Sequence, residues 1–304
     1  MGDDQNFKNF LREFLRDFLA LFFPDVEARL DFGELQFLDA ESFTSFPEGS
    51  SRTADVVAQV RTRRRRRELL LIHVEVEATR RAEFRQRMFE YFALLWTKHH
   101  LPIIPIAVYL RGGRAPLQDE EFVMKPFGRE QLRFRFPAVA LARFEAREYV
   151  EKGSAVAATL AALMSRRRIR APVPLRLSMV ERVVQSGLDD ARKLLLLHII
   201  ETYFVLAGAQ GEKYDRALSQ ERYREVRTMQ MTWMEKIEKK SRKEGREEGL
   251  REGKREALLR QLETKFGPLP EEMISRVKAV RSPEELDRYL DRVLVAASLD
   301  DMGL

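Results

Sequence analysis

Asp55, Glu75 and Glu77 are the residues of this chain whose type and spacing suit chemistry. They lie on Ala-Asp-Val-Val-Ala-Gln-Val (54–60) and Leu-Leu-Leu-Ile-His-Val-Glu-Val-Glu-Ala (69–78), segments whose β-branched and apolar content reads as strands. Successive strand side chains point to opposite faces, so Asp55 is set apart from Val56, Ala58 and Val60. In the second segment Leu70, Ile72, Val74 and Val76 share one face, and His73, Glu75 and Glu77 share the other. Two neighbouring strands could therefore aim three carboxylates at one point. Hard oxygen donors so gathered are what Mg²⁺ or Mn²⁺ prefers, and a metal held there can activate water and steady a phosphate.

The bland alternative is a solvated polar face on an edge hairpin. Two features count against it: 69–76 is too continuously apolar for a free hairpin, and acidic residues are depleted from strands, so Glu-Val-Glu needs a reason. His73 shares the acidic face but reads more readily as a satisfied structural residue than as a ligand or base.

The elements that must position these residues follow from periodicity. Phe7, Phe10, Leu11, Phe14, Leu15, Phe18 and Leu19 recur at three- and four-residue steps, an amphipathic helix ended by Phe23-Pro24-Asp25. Strands are expected near 29–38, 54–60, 68–77 and 103–110, the last a buried central one, with a helix over about 80–100 between the final two. Residues 112–128 read as an irregular excursion. Residues 132–141 read as a strand that Pro137 demotes toward an edge or a break.

The domain organisation expected is a core over 1–165, a helical extension over 166–207, a polar helical linker over 208–256 and a small helical unit over 257–304. Ser282-Pro283-Glu284-Glu285 is a good helix start, with the serine as N-cap. Gly245, Gly249 and Gly253 fall along one side of a helix, which suits either a flexible connection or self-association through the helical C-terminal region.

The net charge is +6, with 54 Lys and Arg against 48 Asp and Glu. That permits nucleic-acid binding without demanding it, and clustering is the stronger hint. Arg61, Arg63, Arg64, Arg65, Arg66 and Arg67 form a turn expected to touch nucleic-acid backbone without reading sequence, and Arg166, Arg167, Arg168 and Arg170 form a second block. The absence of cysteine excludes disulfide scaffolds, thiol catalysis and cysteine-based zinc sites, and a reducing compartment is expected. With no secretory signal and no apolar run of about 18 residues, a cytoplasmic protein with no membrane partner is expected.

Taken in order, the leading helix, Arg-Thr-Ala-Asp (52–55), Ile-His-Val-Glu-Val-Glu (72–77), Arg87-Met-Phe-Glu-Tyr91 and the Pro-Ile-Ala-Val-Tyr strand (105–109) resemble the Rpn (YhgA-like, transposase-like) family of the PD-(D/E)XK nuclease superfamily. The resemblance covers most of 5–165. Gly-Leu-Arg-Glu-Gly (249–253) and Leu-Glu-Thr-Lys-Phe-Gly-Pro-Leu-Pro (262–270) resemble the C-terminal domain of unknown function that accompanies many members.

The resemblance implies an α/β, restriction-endonuclease-like mixed sheet flanked by helices, a Mg²⁺ or Mn²⁺ cofactor, DNA as partner, and endonuclease activity associated with recombination or mobile elements. Asp55 matches the metal-binding aspartate and Glu75 the first acid of the (D/E)-x-K element, while Glu77 stands where the lysine would be. Glu77 must then be a further metal ligand or a general base, and another cation could take the lysine's electrostatic role.

Arg87, Tyr91 and Lys98 fall on one stripe of the following helix, beside the apolar stripe of Phe84, Met88 and Leu95. Arg87 is read as a phosphate or carboxylate partner with Tyr91 its neighbour, and Lys98 as a nucleic-acid contact. A buried Arg87–Glu75 pair that merely orients helix and sheet is the competing assignment. Glu41 matches an upstream acid of the superfamily. From a different class, a catalytically inactive nucleic-acid-binding or oligomeric assembly protein on the same fold is kept alive by the missing lysine, and a pure protein scaffold is a third reading.

Overall fold

The computed structural model describes residues 3–38, 54–63, 68–79, 81, 83–167 and 169–303. The chain divides into two compact units, Met1–Gln230 and Met231–Leu304. Among the described residues no helix is long and apolar enough to cross a membrane.

The first unit is an α/β structure around one six-stranded mixed sheet. Its leading helices are α1 (Asp3–Glu13), α2 (Leu15–Phe22) and α3 (Pro24–Glu27), followed by β1 (Leu30–Phe37), β2 (Val56–Thr62) and β3 (Leu69–Thr79). Then come α4 (Phe84–His99), β4 (Ile103–Arg111), β5 (Leu117–Met124) and β6 (Leu132–Ala140). The sheet order is β1-β2-β3-β4-β6-β5. β1, β2 and β3 form an antiparallel meander, β3, β4 and β6 run parallel, and β5 is antiparallel to β6. The helix expected between the third and fourth strands is α4, the crossover that a parallel β3–β4 pair requires.

The two faces of β3 explain the layers. Leu70, Ile72, Val74 and Val76 pack with Val56, Ala58 and Val60 into a core that also takes Phe7, Phe10, Leu11, Phe14, Phe18 and Phe22 from α1 and α2. The opposite face packs on α4: Leu71 and Val57 meet Tyr91 and Leu95, while Ala107 and Tyr109 of β4 meet Phe84 and Met88. Further helices, α5 (Ala146–Glu151), α6 (Ala155–Leu160), α7 (Pro172–Val184), α8 (Asp190–Tyr203) and α9 (Ala209–Leu218), complete the unit. Tyr214, Leu218, Tyr223 and Val226 belong to its core.

Three expectations need correction. The leading helix is broken at Phe14, which leaves helical geometry at φ −124° and ψ 29° and separates α1 from α2 while the whole aromatic stripe stays buried. Within 112–128 the chain forms β5, an edge strand whose Gln-Asp-Glu-Glu run hides the alternation: Glu120 points inward, accepting from Gln118 Nε2 at 2.7 Å, and Phe122 packs beside Phe89. Charge on an edge strand discourages pairing with other chains. Pro137 lies inside β6, an interior strand, because pairing with β4 starts only at Ala138 and the missing N–H costs that ladder nothing.

In the second unit, α10 (Arg224–Phe266), which begins in the first, is followed by α11 (Glu271–Ala279) and α12 (Pro283–Val295). Leu258, Leu262, Val277, Leu286, Val293 and Met302 form its small core. Ser282 caps α12 as its sequence suggests, its Oγ accepting from the Glu285 N–H at 3.2 Å.

Candidate functional site

The antiparallel register pairs Val56 with Val74 and Val57 with His73, so its continuation sets Asp55 opposite Glu75 where β2 begins and β3 nears its carboxyl end. The two residues interlock. The Asp55 N–H donates to Glu75 Oε1 at 2.9 Å, and the Val76 N–H donates to Asp55 Oδ2 at 2.8 Å. His73 Nε2 lies 2.9 Å from the same Glu75 oxygen. A carboxylate can only accept, so Nε2 carries the imidazole hydrogen, and Nδ1 has no hydrogen-bond partner among the described residues. His73 is fully buried and meets the Tyr91 ring edge-on at 5.7 Å, which locks both rings behind Glu75.

Lys8 of α1 reaches the outer oxygen of this pair, with Nζ 2.7 Å from Asp55 Oδ1. Burial, and next the charge of Glu75, nevertheless push the Asp55 carboxyl up to about 7, against the opposing pull of Lys8 and the Val76 N–H. Glu75 is 2% exposed and Glu77 7% exposed. Asp55 and the buried Glu75 together carry more negative charge than the one Lys8 ammonium offsets.

Glu77 has different partners. Arg87 Nη2 contacts its Oε2, and Arg81 Nε lies 3.4 Å from its Oε1. Burial alone would depress the Arg87 guanidinium, but Glu77 and then Glu75 raise its pKa above the usual value, so it stays charged. It also lies over the Phe84 ring at 5.0 Å. Arg87 thus bonds Glu77, rather than the Glu75 that a purely orienting pair would use. Among the described residues no three His, Asp or Glu gather closely enough to hold a metal ion as a cluster. Asp55, Glu75, Glu77, Arg81, Arg87 and Tyr91 all line one cavity of about 630 Å³.

Asp55, Glu75, Glu77, Arg87 and Tyr91 therefore come together, and the other site residues read from the sequence do not join them. Arg61 bonds Glu34 at 2.6 Å and Arg63 bonds the Leu30 carbonyl at 2.7 Å, at the opposite end of the β2–β3 hairpin. At about 3.3 Å per residue this is roughly 20 Å from Asp55. Lys98 is exposed on the last turn of α4, two turns or about 10 Å beyond Tyr91. Arg64, Arg65, Arg66, Arg67, Arg168 and Glu41 lie outside the described residues.

Lys8 is the participant that the reading of the strands overlooks. Its signal is faint: it sits one position from Phe7 at the margin of the apolar stripe, where a long side chain can bury its stem and lean its ammonium over the core's edge. No family model, no curated protein and no solved structure matches the chain.

Proposed function

We propose that the chain is a metal-dependent DNA endonuclease that hydrolyses phosphodiester bonds on a restriction-endonuclease-like sheet, a member of the Rpn family associated with recombination or mobile elements. The observation that carries this reading is the interlocked Asp55–Glu75 pair with Lys8 against it, at the carboxyl end of a strand within a mixed sheet. Crevices beyond the carboxyl ends of parallel strands are where α/β sheets place their ligands.

The donor set fits a hard divalent ion. Asp55 and Glu75 are oxygen donors, and burial, with the charge of Glu75 second, already pushes Asp55 up to about 7; a dication would offset that buried charge better than Lys8 alone. Asp55 and Glu75 would hold Mg²⁺ or Mn²⁺, which when bound supplies Lewis acidity toward the phosphate and lowers the pKa of water. Lys8 takes the electrostatic role of the lysine that Glu77 displaces. Glu77 anchors Arg87 at the cavity wall, and the guanidinium fork suits two oxygens of one phosphate. Tyr91 and His73 act as positioning residues that hold Glu75.

A second reading, an inactive nucleic-acid-binding or oligomeric assembly protein on the same fold, is favoured by the arginines at both oxygens of Glu77, which leave a smaller set of acids for a metal. Incubation of purified protein with supercoiled plasmid in Mg²⁺, Mn²⁺ or EDTA separates the two. Nicking is expected with metal, absent in EDTA and lost in Glu75→Gln. A folded protein that leaves plasmid intact in every metal while retaining salt-sensitive DNA binding supports the second reading instead.

A further inference from the structure

A second cavity, of about 540 Å³, opens at the carboxyl end of β4. Arg111, the last residue of β4, forms part of its wall together with Arg166 and Arg167, members of the second arginine block. Arg111, Arg166 and Arg167 are exposed. Among the described residues no carboxylate pairs with any of the three, whereas Arg87, Arg133, Arg176 and Arg192 are each held by one. Arg166 lies over the Phe204 ring at 4.4 Å, which fixes its guanidinium.

We propose that Arg111, Arg166 and Arg167 form a phosphate-binding subsite that holds the DNA backbone beside the phosphodiester to be cut. The inference rests on the nuclease reading for the identity of its ligand. Register supplies the geometry: Glu77 pairs with Tyr109 and Thr79 with Arg111, so the Arg111 backbone lies one strand across and two residues beyond Glu77. From the strand spacing and rise that is about 8 Å. Phosphates of one DNA strand recur about every 3.4 Å of helix axis, so a strand passing the carboxylate cavity reaches Arg111, and Arg166 and Arg167 share the cavity that Arg111 lines. Such contacts set register on the backbone without reading bases.

The test is fluorescence anisotropy with a labelled duplex of about 30 base pairs in EDTA, repeated over roughly 50 to 200 mM salt. The triple variant Arg111→Gln, Arg166→Gln, Arg167→Gln is compared with a charge-matched control, Arg147→Gln, Arg216→Gln, Arg224→Gln, whose arginines already have carboxylate partners. Each phosphate contact contributes about 0.9 to the log–log salt slope, so the subsite variant should flatten it by about two to three and weaken binding at least about tenfold near 150 mM salt, while the control keeps the wild-type slope. Arg111→Gln and Arg167→Gln alone should each flatten it by about 0.9, which keeps the test intact if the triple variant does not fold. An unchanged slope, or equal flattening in the control, overturns the subsite alone. Arginine-dependent binding without cleavage in any metal leaves the subsite standing and overturns the nuclease. A wild-type protein that binds no DNA overturns both.

Discussion

Asp55→Asn is expected to abolish metal-dependent cleavage, lowering the single-turnover rate by at least about 10³-fold, because it removes one of the two acids that meet at the sheet's end. The amide is nearly isosteric and keeps an oxygen for the Val76 N–H, so the fold survives. The same substitution has a signature in stability. Folded Asp55 holds its proton up to about pH 7, while the unfolded chain releases it near the ordinary value of 3.8. Between those limits the folded state binds more protons, so metal-free stability is greatest at the acid end and declines as pH rises through the folded pKa. Urea midpoints taken at about pH 5 and about pH 8 should fall in the wild type, and the fall should be smaller in Asp55→Asn. An equal fall in both proteins would place the responsible group elsewhere.

Lys8→Met should lower the cleavage rate by about 10²-fold at saturating DNA, the scale of losing one preorganised electrostatic partner. The ammonium stands 2.7 Å from Asp55 Oδ1, and position 77, two residues beyond Glu75, carries a glutamate rather than a second cation. The loss should appear in kcat more than in KM, since the charge acts on the reacting centre rather than on the length of bound DNA. Lys8→Arg, which keeps the charge but changes its reach, should recover part of the rate. A Lys8→Met protein that cleaves at the wild-type rate would reduce Lys8 to a brace between α1 and the sheet.

The parts of this site that are legible in sequence are those carried by local period. The alternation in 69–78 separates Leu70, Ile72, Val74 and Val76 from His73, Glu75 and Glu77, and the structure keeps that division, with helices packed on both faces. The α4 stripe is legible for the same reason: Phe84, Met88 and Leu95 are buried as spaced, and Tyr91 joins them. Long-range partners leave no such trace. Lys8 meets Asp55 across 47 residues of chain, and its place beside Phe7 at the margin of the apolar stripe does not name that partner. Arg87 chooses Glu77 over Glu75, a choice between residues on one face that depends on where along β3 the first turn of α4 settles.

Composition misleads in two places. The acids of β5 look like loop residues until Phe122 and the inward Glu120 are seen against β6 and α4. Pro137 looks like a strand breaker until its position before the β4 ladder is known.

Calorimetric titration of Mn²⁺ into the purified protein at about pH 6, beside Asp55→Asn and Glu75→Gln, reads the carboxylate pair directly. Ligands must shed protons to bind a metal, and Asp55 is largely protonated at that pH, so saturable Mn²⁺ binding should release protons to the buffer and be lost or severely weakened in both variants. Binding that persists undiminished in both variants, or a folded wild-type protein that takes up no Mn²⁺, would contradict a metal site at Asp55 and Glu75.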